Sequence, residues 1–127
     1  MIGYVTLGTN DLAKAGEYYD QLLGTLGAGR AMEFEGQMIA WGKSMAEPML
    51  CAIVPFDGEP ATVGNGVMVS LFMESKEKVD ELHSKAMELG SKDEGAPGPR
   101  GDDGFYGAYF RDPDGNKLCA FTMPAGG

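Results

Sequence analysis

The sequence predicts an α+β fold of two βαβββ modules whose paired curved sheets enclose a central cleft. Three observations predict it. A strand-then-helix pattern opens the chain at Gly3 and opens again at Gly66. Each copy continues into short apolar strands separated by turn residues. The chain closes on a hairpin, Tyr106 to Phe121, built around Asp112-Pro113-Asp114-Gly115-Asn116. A repeated module of this kind cannot bury its sheet alone, and pairing two sheets creates a shared cleft.

Gly3 to Thr9 alternates as a strand, and Asp11 to Leu26 follows as a helix. Leu12, Ala15, Tyr19, Leu22, Leu23 and Leu26 recur at helical spacing and form one apolar stripe. Asn10 is placed to cap this helix and Gly27 to end it. Strands are expected over Ala28 to Phe34, Met38 to Gly42 and Met49 to Val54, with Glu35-Gly36 as the first hairpin turn. Pro55 to Pro60 reads as a linker.

The second copy repeats this order. Gly66 to Met73 is a strand, and Lys76 to Leu89 is a helix with Val79, Leu82, Ala86 and Leu89 inside, capped by Ser75 and ended by Gly90. A short segment near Lys92 and a loop from Glu94 to Gly101 lead to the final hairpin. Asp112 and Pro113 start its turn, and Gly115 or Asn116 supplies the positive φ. The modules fall at residues 1–58 and 62–127, offset by about 64 to 68 positions.

Composition bounds what the chain does. Its 127 residues suffice for one domain with a real core. No apolar run approaches the ~20 residues that span a bilayer. The start, Met1-Ile2-Gly3-Tyr4, lacks a basic segment followed by an apolar one, so no secretory signal is expected. Two cysteines make no disulfide framework, and a reduced, cytoplasmic protein is the simplest reading. A net charge of −9 argues against nucleic acid and anionic membranes as partners. It leaves a small-molecule ligand open, since a pocket can be locally basic.

The closing hairpin, the twofold module pattern and Gly64-Asn65-Gly66-Val67-Met68 together resemble the vicinal oxygen chelate superfamily. That superfamily includes glyoxalase I, the bleomycin and fosfomycin resistance proteins and the extradiol dioxygenases. The resemblance spans the chain and is weakest between Gly27 and Pro48. It implies paired modules curled around one cavity. It also implies a divalent ion held by four cleft-facing residues, commonly histidine on the opening strand of a module and glutamate or another donor on its closing strand. Those positions fall here on Tyr4, Cys51, Met68 and Cys119, and none is histidine or carboxylate. The single histidine, His83, belongs to the second helix, outside the sheets. No metal and no cofactor are therefore expected. Two readings of the sulfur positions stand: a soft set suited to copper(I) or zinc, or adaptable apolar filling.

Strand alternation sorts the remaining candidates. Tyr4, Thr6 and Gly8 face the cleft from the first strand, Met68, Ser70 and Phe72 from the fifth, and Cys119 and Phe121 from the last. The hairpin turn pairs Tyr109 with Cys119 and leaves Gly107 one step further along. In the resembling fosfomycin resistance proteins, side chains at these two positions touch substrate. Tyr4, Met68, Phe72, Tyr109 and Phe121 would make an aromatic, apolar pocket, or would simply fill the barrel. Arg100 ends the Ala96-Pro97-Gly98-Pro99 run, which is expected to cross the cleft mouth. It either meets a ligand carboxylate or phosphate or pairs with Asp102 or Asp103. Arg111 reads as a surface residue, and the faces of Trp41 and Glu33 are left open.

No Gly-x-Ser-x-Gly elbow, Cys-x-x-Cys pair or phosphate loop competes, and neither cysteine has a neighbour placed by sequence to activate it. The functional expectation is a metal-independent, glyoxalase-like small-molecule-binding domain. Its ligand-binding residues are Tyr4, Cys51, Met68, Phe72, Arg100, Gly107, Tyr109, Cys119 and Phe121. The alternative is a lactoylglutathione lyase-like or related enzyme using unusual ligands or Tyr/Cys acid–base chemistry. A third reading makes the chain a structural dimer with a vestigial cleft. A homodimer is expected, because each half leaves sheet edges unpaired.

Overall fold

Backbone pairing gives two four-stranded sheets in a computed structural model that describes residues 1–124. The chain divides into two units, Met1–Gly64 and Asn65–Gly127, and the last three positions of the expected 62–127 module lie outside the described residues. In the first unit, β1 (Tyr4–Gly8), α1 (Leu12–Gly24), β2 (Gly29–Phe34), β3 (Met38–Gly42) and β4 (Met49–Ile53) follow in turn. The second unit repeats the order as β5 (Val69–Phe72), α2 (Lys76–Glu88), β6 (Lys92–Pro99), β7 (Tyr106–Arg111) and β8 (Lys117–Thr122). The strand orders are β1-β4-β3-β2 and β5-β8-β7-β6, with the first strand of each unit parallel to its last. The architecture is the α+β, βαβββ-repeat expected from the sequence.

Within the first unit, α1 buries Ala15, Tyr18, Tyr19, Leu22 and Leu23 against Ile39, Trp41, Leu50 and Ala52 of the sheet. Asp20 fixes this packing. Its carboxylate accepts from the Trp41 indole N–H at 2.9 Å and from Arg30 at 2.8 and 2.9 Å. Trp41 therefore faces the helix, and Arg30, paired across from it, also binds Glu33. These contacts settle the faces that periodicity left open.

Within the second unit, α2 buries Val79, Leu82, His83 and Ala86 over Ala108, Phe110, Leu118 and Ala120. His83 is buried there with its Nε2 3.1 Å from an Asp93 carboxylate oxygen and its ring edge-on to Phe110. The Tyr106 hydroxyl donates to Asp80 at 2.7 Å and ties β7 to the same helix.

Three local expectations are corrected. Asp11, not Asn10, caps α1, with its side chain accepting from the Lys14 amide. Asn10 is engaged instead with the backbone of Ala61, whose amide donates to it and whose carbonyl accepts from it. Helix α1 ends at Gly24, a turn before Gly27, although Gly27 does take the left-handed φ of +77° and lets the Ala28 amide return to the Leu23 carbonyl. The expected loop from Glu94 is largely an edge strand, β6, bulged between Asp93 and Gly95 and again between Gly95 and Gly98. Proline reads as a breaker, but an edge strand with bulges leaves its missing N–H unneeded.

Candidate functional site

Each sheet turns one face to its helix and the other away, and the chemistry lies on the faces turned away. In the first unit, register places Tyr4, Thr6 and Gly8 of β1 beside Met49, Cys51 and Ile53 of β4, and Cys51 beside Ala40 of β3. Tyr4 is exposed, whereas Cys51 is 1% exposed and its thiol is pushed up by burial. At one end of this face a groove of about 370 Å³ lies between Phe34, Met38, Ile53 and Phe56. Its lining carries no ionisable side chain.

The second unit gathers most of the predicted residues. Ser70 pairs with Cys119, and Phe72 with Phe121, across β5 and β8. Tyr109 pairs with Cys119, and Gly107 with Phe121, across β7 and β8, as the hairpin turn implied. The rings form a ladder. Phe72 meets Phe121 edge-on at 5.7 Å, and Phe105 stacks parallel on Phe121 at 5.4 Å. Gly107 makes this stacking possible, since a Cβ there would stand 2.6 Å from the Phe105 ring. Met68 sits just before β5 rather than within it and is exposed.

Arg100 follows β6 directly. Its guanidinium donates to the carbonyls of Ala96 at 2.7 Å and Pro99 at 3.2 Å and lies 5.4 Å from the Tyr109 ring centre. Neither Asp102 nor Asp103 forms an ion pair with it. Asp103 instead accepts from the Phe105 amide. Lys117 stands 5.6 Å from the same ring centre. The Arg100 amide donates to the Phe105 carbonyl at 2.9 Å, so one closed turn delivers both a cation and an aromatic ring to this face. Arg111, expected at the surface beside Asp112, is committed to Glu94 at 2.9 Å and to the Gly115 carbonyl.

Burial pushes the Cys119 thiol up, against the opposing pull of hydrogen bonds from Ser70 and Tyr109. Burial also pushes the Tyr109 phenol up. At neutral pH both are protonated hydrogen-bonding groups rather than anions.

The donor chemistry bears on a metal. The four positions implied by resemblance carry a phenol, two protonated thiols and a thioether, Tyr4, Cys51, Met68 and Cys119. A hard or borderline divalent ion is ordinarily held by imidazole and carboxylate, and this set does not fit one. Among the described residues no group of three or more His, Cys, Asp or Glu gathers closely enough to hold a metal ion.

The family model of the Glyoxalase/Bleomycin resistance protein/Dioxygenase superfamily matches residues 1–120. The chain belongs to that superfamily. A crystal structure of a glyoxalase/bleomycin resistance protein from Albidiferax ferrireducens is 37% identical to this superfamily member, with a TM-score of 0.88 over 98% of this chain and 99% of that one. A hypothetical protein from S. aureus is 25% identical, with a TM-score of 0.72 over 94% and 92% of the two chains. A lactoylglutathione lyase from Agrobacterium tumefaciens shares the fold at 22% identity, covering 96% and 92% of the two chains with a TM-score of 0.68. No curated protein matches the chain. Among the described residues, no helix of this glyoxalase-superfamily chain is long and apolar enough to cross a membrane.

Sequence reasoning named Phe72, Arg100, Gly107, Tyr109, Cys119 and Phe121, which share this second-unit surface, and Tyr4 and Cys51, which belong to the first unit. It missed Phe105 and Lys117. Lys117 was within reach, because it alternates with Cys119 and Phe121. Phe105 follows a glycine turn, where no periodicity assigns a direction.

Proposed function

We propose that this chain binds a small, partly apolar anion without a metal ion, on the helix-free face of its second unit. The single observation behind this reading is Arg100. It is held against Tyr109, and among the described residues its hydrogen-bond partners are backbone carbonyls alone, in a protein whose net charge is −9. A guanidinium pre-placed in this way binds a carboxylate or phosphate at reduced entropic cost. Phe72, Phe105 and Phe121 supply the apolar wall. Tyr109 and Ser70 supply neutral polar groups, with the buried Cys119 thiol paired behind them.

A thermal-shift screen of small anionic metabolites tests the reading. A ligand at a hundred times its dissociation constant adds about 2.7 kcal/mol. Arg100→Ala and Tyr109→Phe remove the shift, and an unaltered shift in both variants places the site elsewhere. Turnover of the methylglyoxal–glutathione hemithioacetal with added nickel or zinc would replace this reading with a lyase-like one.

We further propose a homodimer. The edge strands β1 and β5 are each preceded by an exposed apolar residue, Ile2 and Val67, and apolar sheet edges favour association. Light scattering across a dilution series tests it, and a monomer at every concentration defeats it. The free, buried thiols Cys51 and Cys119 suit a reducing cytoplasm, which cell fractionation checks.

A further inference from the structure

The second-unit face is divided along its strands. One end is aromatic, where Phe72, Phe121 and Phe105 touch in series above Gly107. The other is cationic, where Arg100 and Lys117 flank the Tyr109 ring. The pairs Gly107/Phe121 and Tyr109/Cys119 are two residues apart on both strands. Same-face neighbours on a strand are separated by about 7 Å. We propose that this face selects an aryl-substituted carboxylate, with its ring against Phe72 and Phe121 and its carboxylate at Arg100. The inference rests on the anion-binding reading of the same face and adds the ligand class.

Three observations carry the aromatic half. Phe72 is 63% exposed on a strand whose other face, Val69 and Leu71, is half-buried, so beyond its edge contact with Phe121 most of the ring surface is uncovered. Phe121 already accepts one ring edge-on and one in parallel, the two geometries that aromatic pairs prefer. Phe105 reaches the ladder through the same turn that positions Arg100, so ring and cation are held at a fixed separation. The anionic half follows from the Arg100 guanidinium, which meets backbone carbonyls but no carboxylate among the described residues, and Lys117 adds a second positive charge on the same ring. A spacer of about two methylenes between ring and carboxylate spans the step between the two halves.

Binding of 3-phenylpropionate to the full chain tests the inference by calorimetry and by amide shift mapping. Two matched probes isolate each half: 3-phenylpropan-1-ol lacks the charge, and 3-cyclohexylpropionate lacks the aromatic ring. The expected result is binding of 3-phenylpropionate with shifts at Phe72, Tyr109 and Phe121, weakened about tenfold for the alcohol and about threefold or more for the cyclohexyl acid. Arg100→Gln removes the preference for acid over alcohol. Phe72→Leu, at an exposed position, removes the preference for phenyl over cyclohexyl. If the cyclohexyl acid binds as tightly as the phenyl acid, with Arg100-dependent shifts on this face, the aryl class is wrong and the anion site survives. If neither acid shifts any residue of this face at millimolar concentration, both fail.

Discussion

Cys119 stands directly opposite Tyr109 on the β7–β8 ladder and opposite Ser70 on the β5–β8 ladder, and both neighbours pull its thiol down against the burial that raises it. The pair joins a buried sulfur to a ring flanked by two cations, and it sets how this face behaves with pH. Burial raises the Cys119 thiol, and burial alone raises Cys51. A thiol raised in the folded state contributes stability below its unfolded pKa of about 8.5 and loses it as pH climbs through the folded value. Both cysteines should therefore resist alkylation at pH 7 in the native protein and react at once in urea. Iodoacetamide labelling followed by mass spectrometry checks this. Native labelling of Cys119 at the denatured rate would contradict it.

Gly107→Ala should displace Phe105 rather than unfold the protein. The added Cβ would meet the Phe105 ring at 2.6 Å, and that ring is the movable end of a side chain. We expect a stability loss of about 1 kcal/mol or less, together with loss of the ring-current shift that Phe105 imposes on Phe121. Ligand affinity on this face should fall with it. A Phe105 ring still stacked on Phe121 in the variant would disprove the placement.

Asp20→Ala should loosen the first unit. It leaves the indole N–H of Trp41, 1% exposed, without its acceptor and leaves Arg30 to Glu33. The unsatisfied indole costs about 1–3 kcal/mol, and the more exposed Arg30 pair adds little. Hydrogen bonding from Arg30 holds the Asp20 carboxyl below its ordinary value. Its contribution is thus present above the unfolded pKa of about 3.9 and disappears as pH falls through the lower folded value. Urea midpoints followed by Trp41 fluorescence should separate wild type from variant at pH 7 and converge in strong acid. Equal midpoints at pH 7 would refute the role.

Asp112→Ala should open the final turn. The Asp112 carboxylate accepts from the Asp114 and Asn116 amides at 2.9 and 2.8 Å and from the Asn116 side chain at 3.0 Å. Losing this buried cap should cost about 2 kcal/mol. Gly115→Ala should cost about 1 kcal/mol, because Gly115 holds a φ of +91°. Neighbouring positions in one turn should combine non-additively. Denaturation of both single variants and the double variant tests this, and strict additivity would mean the cap and the glycine act separately.

The second-unit site was more legible than the first. Strict alternation and a short Asp-Pro-Asp-Gly-Asn turn fix register, so Tyr109, Gly107, Cys119 and Phe121 were placed from sequence. The Glu94–Pro99 stretch was not, because its glycines and prolines mask a strand that tolerates them only as a bulged edge. Trp41 could not be assigned a face because Met38-Ile39-Ala40-Trp41 of β3 is apolar throughout and shows no alternation, and Glu33 could not because β2 is itself bulged between Arg30 and Met32. A one-residue insertion flips every side chain beyond it.

The amino-acid order by itself determined the two βαβββ repeats, their helix stripes and the lack of imidazole or carboxylate at Tyr4, Cys51, Met68 and Cys119, the positions to which family resemblance points. These are local or positional properties, set by periodicity, turn chemistry and residue identity. Only tertiary structure decided that Arg100 rests on Tyr109 instead of an aspartate, that Phe105 folds back over Gly107, and that Asp20 receives both Trp41 and Arg30. Those contacts join residues on different elements or across a glycine-rich turn. Side-chain direction there is chosen by the space neighbouring strands leave, which no sequence pattern encodes.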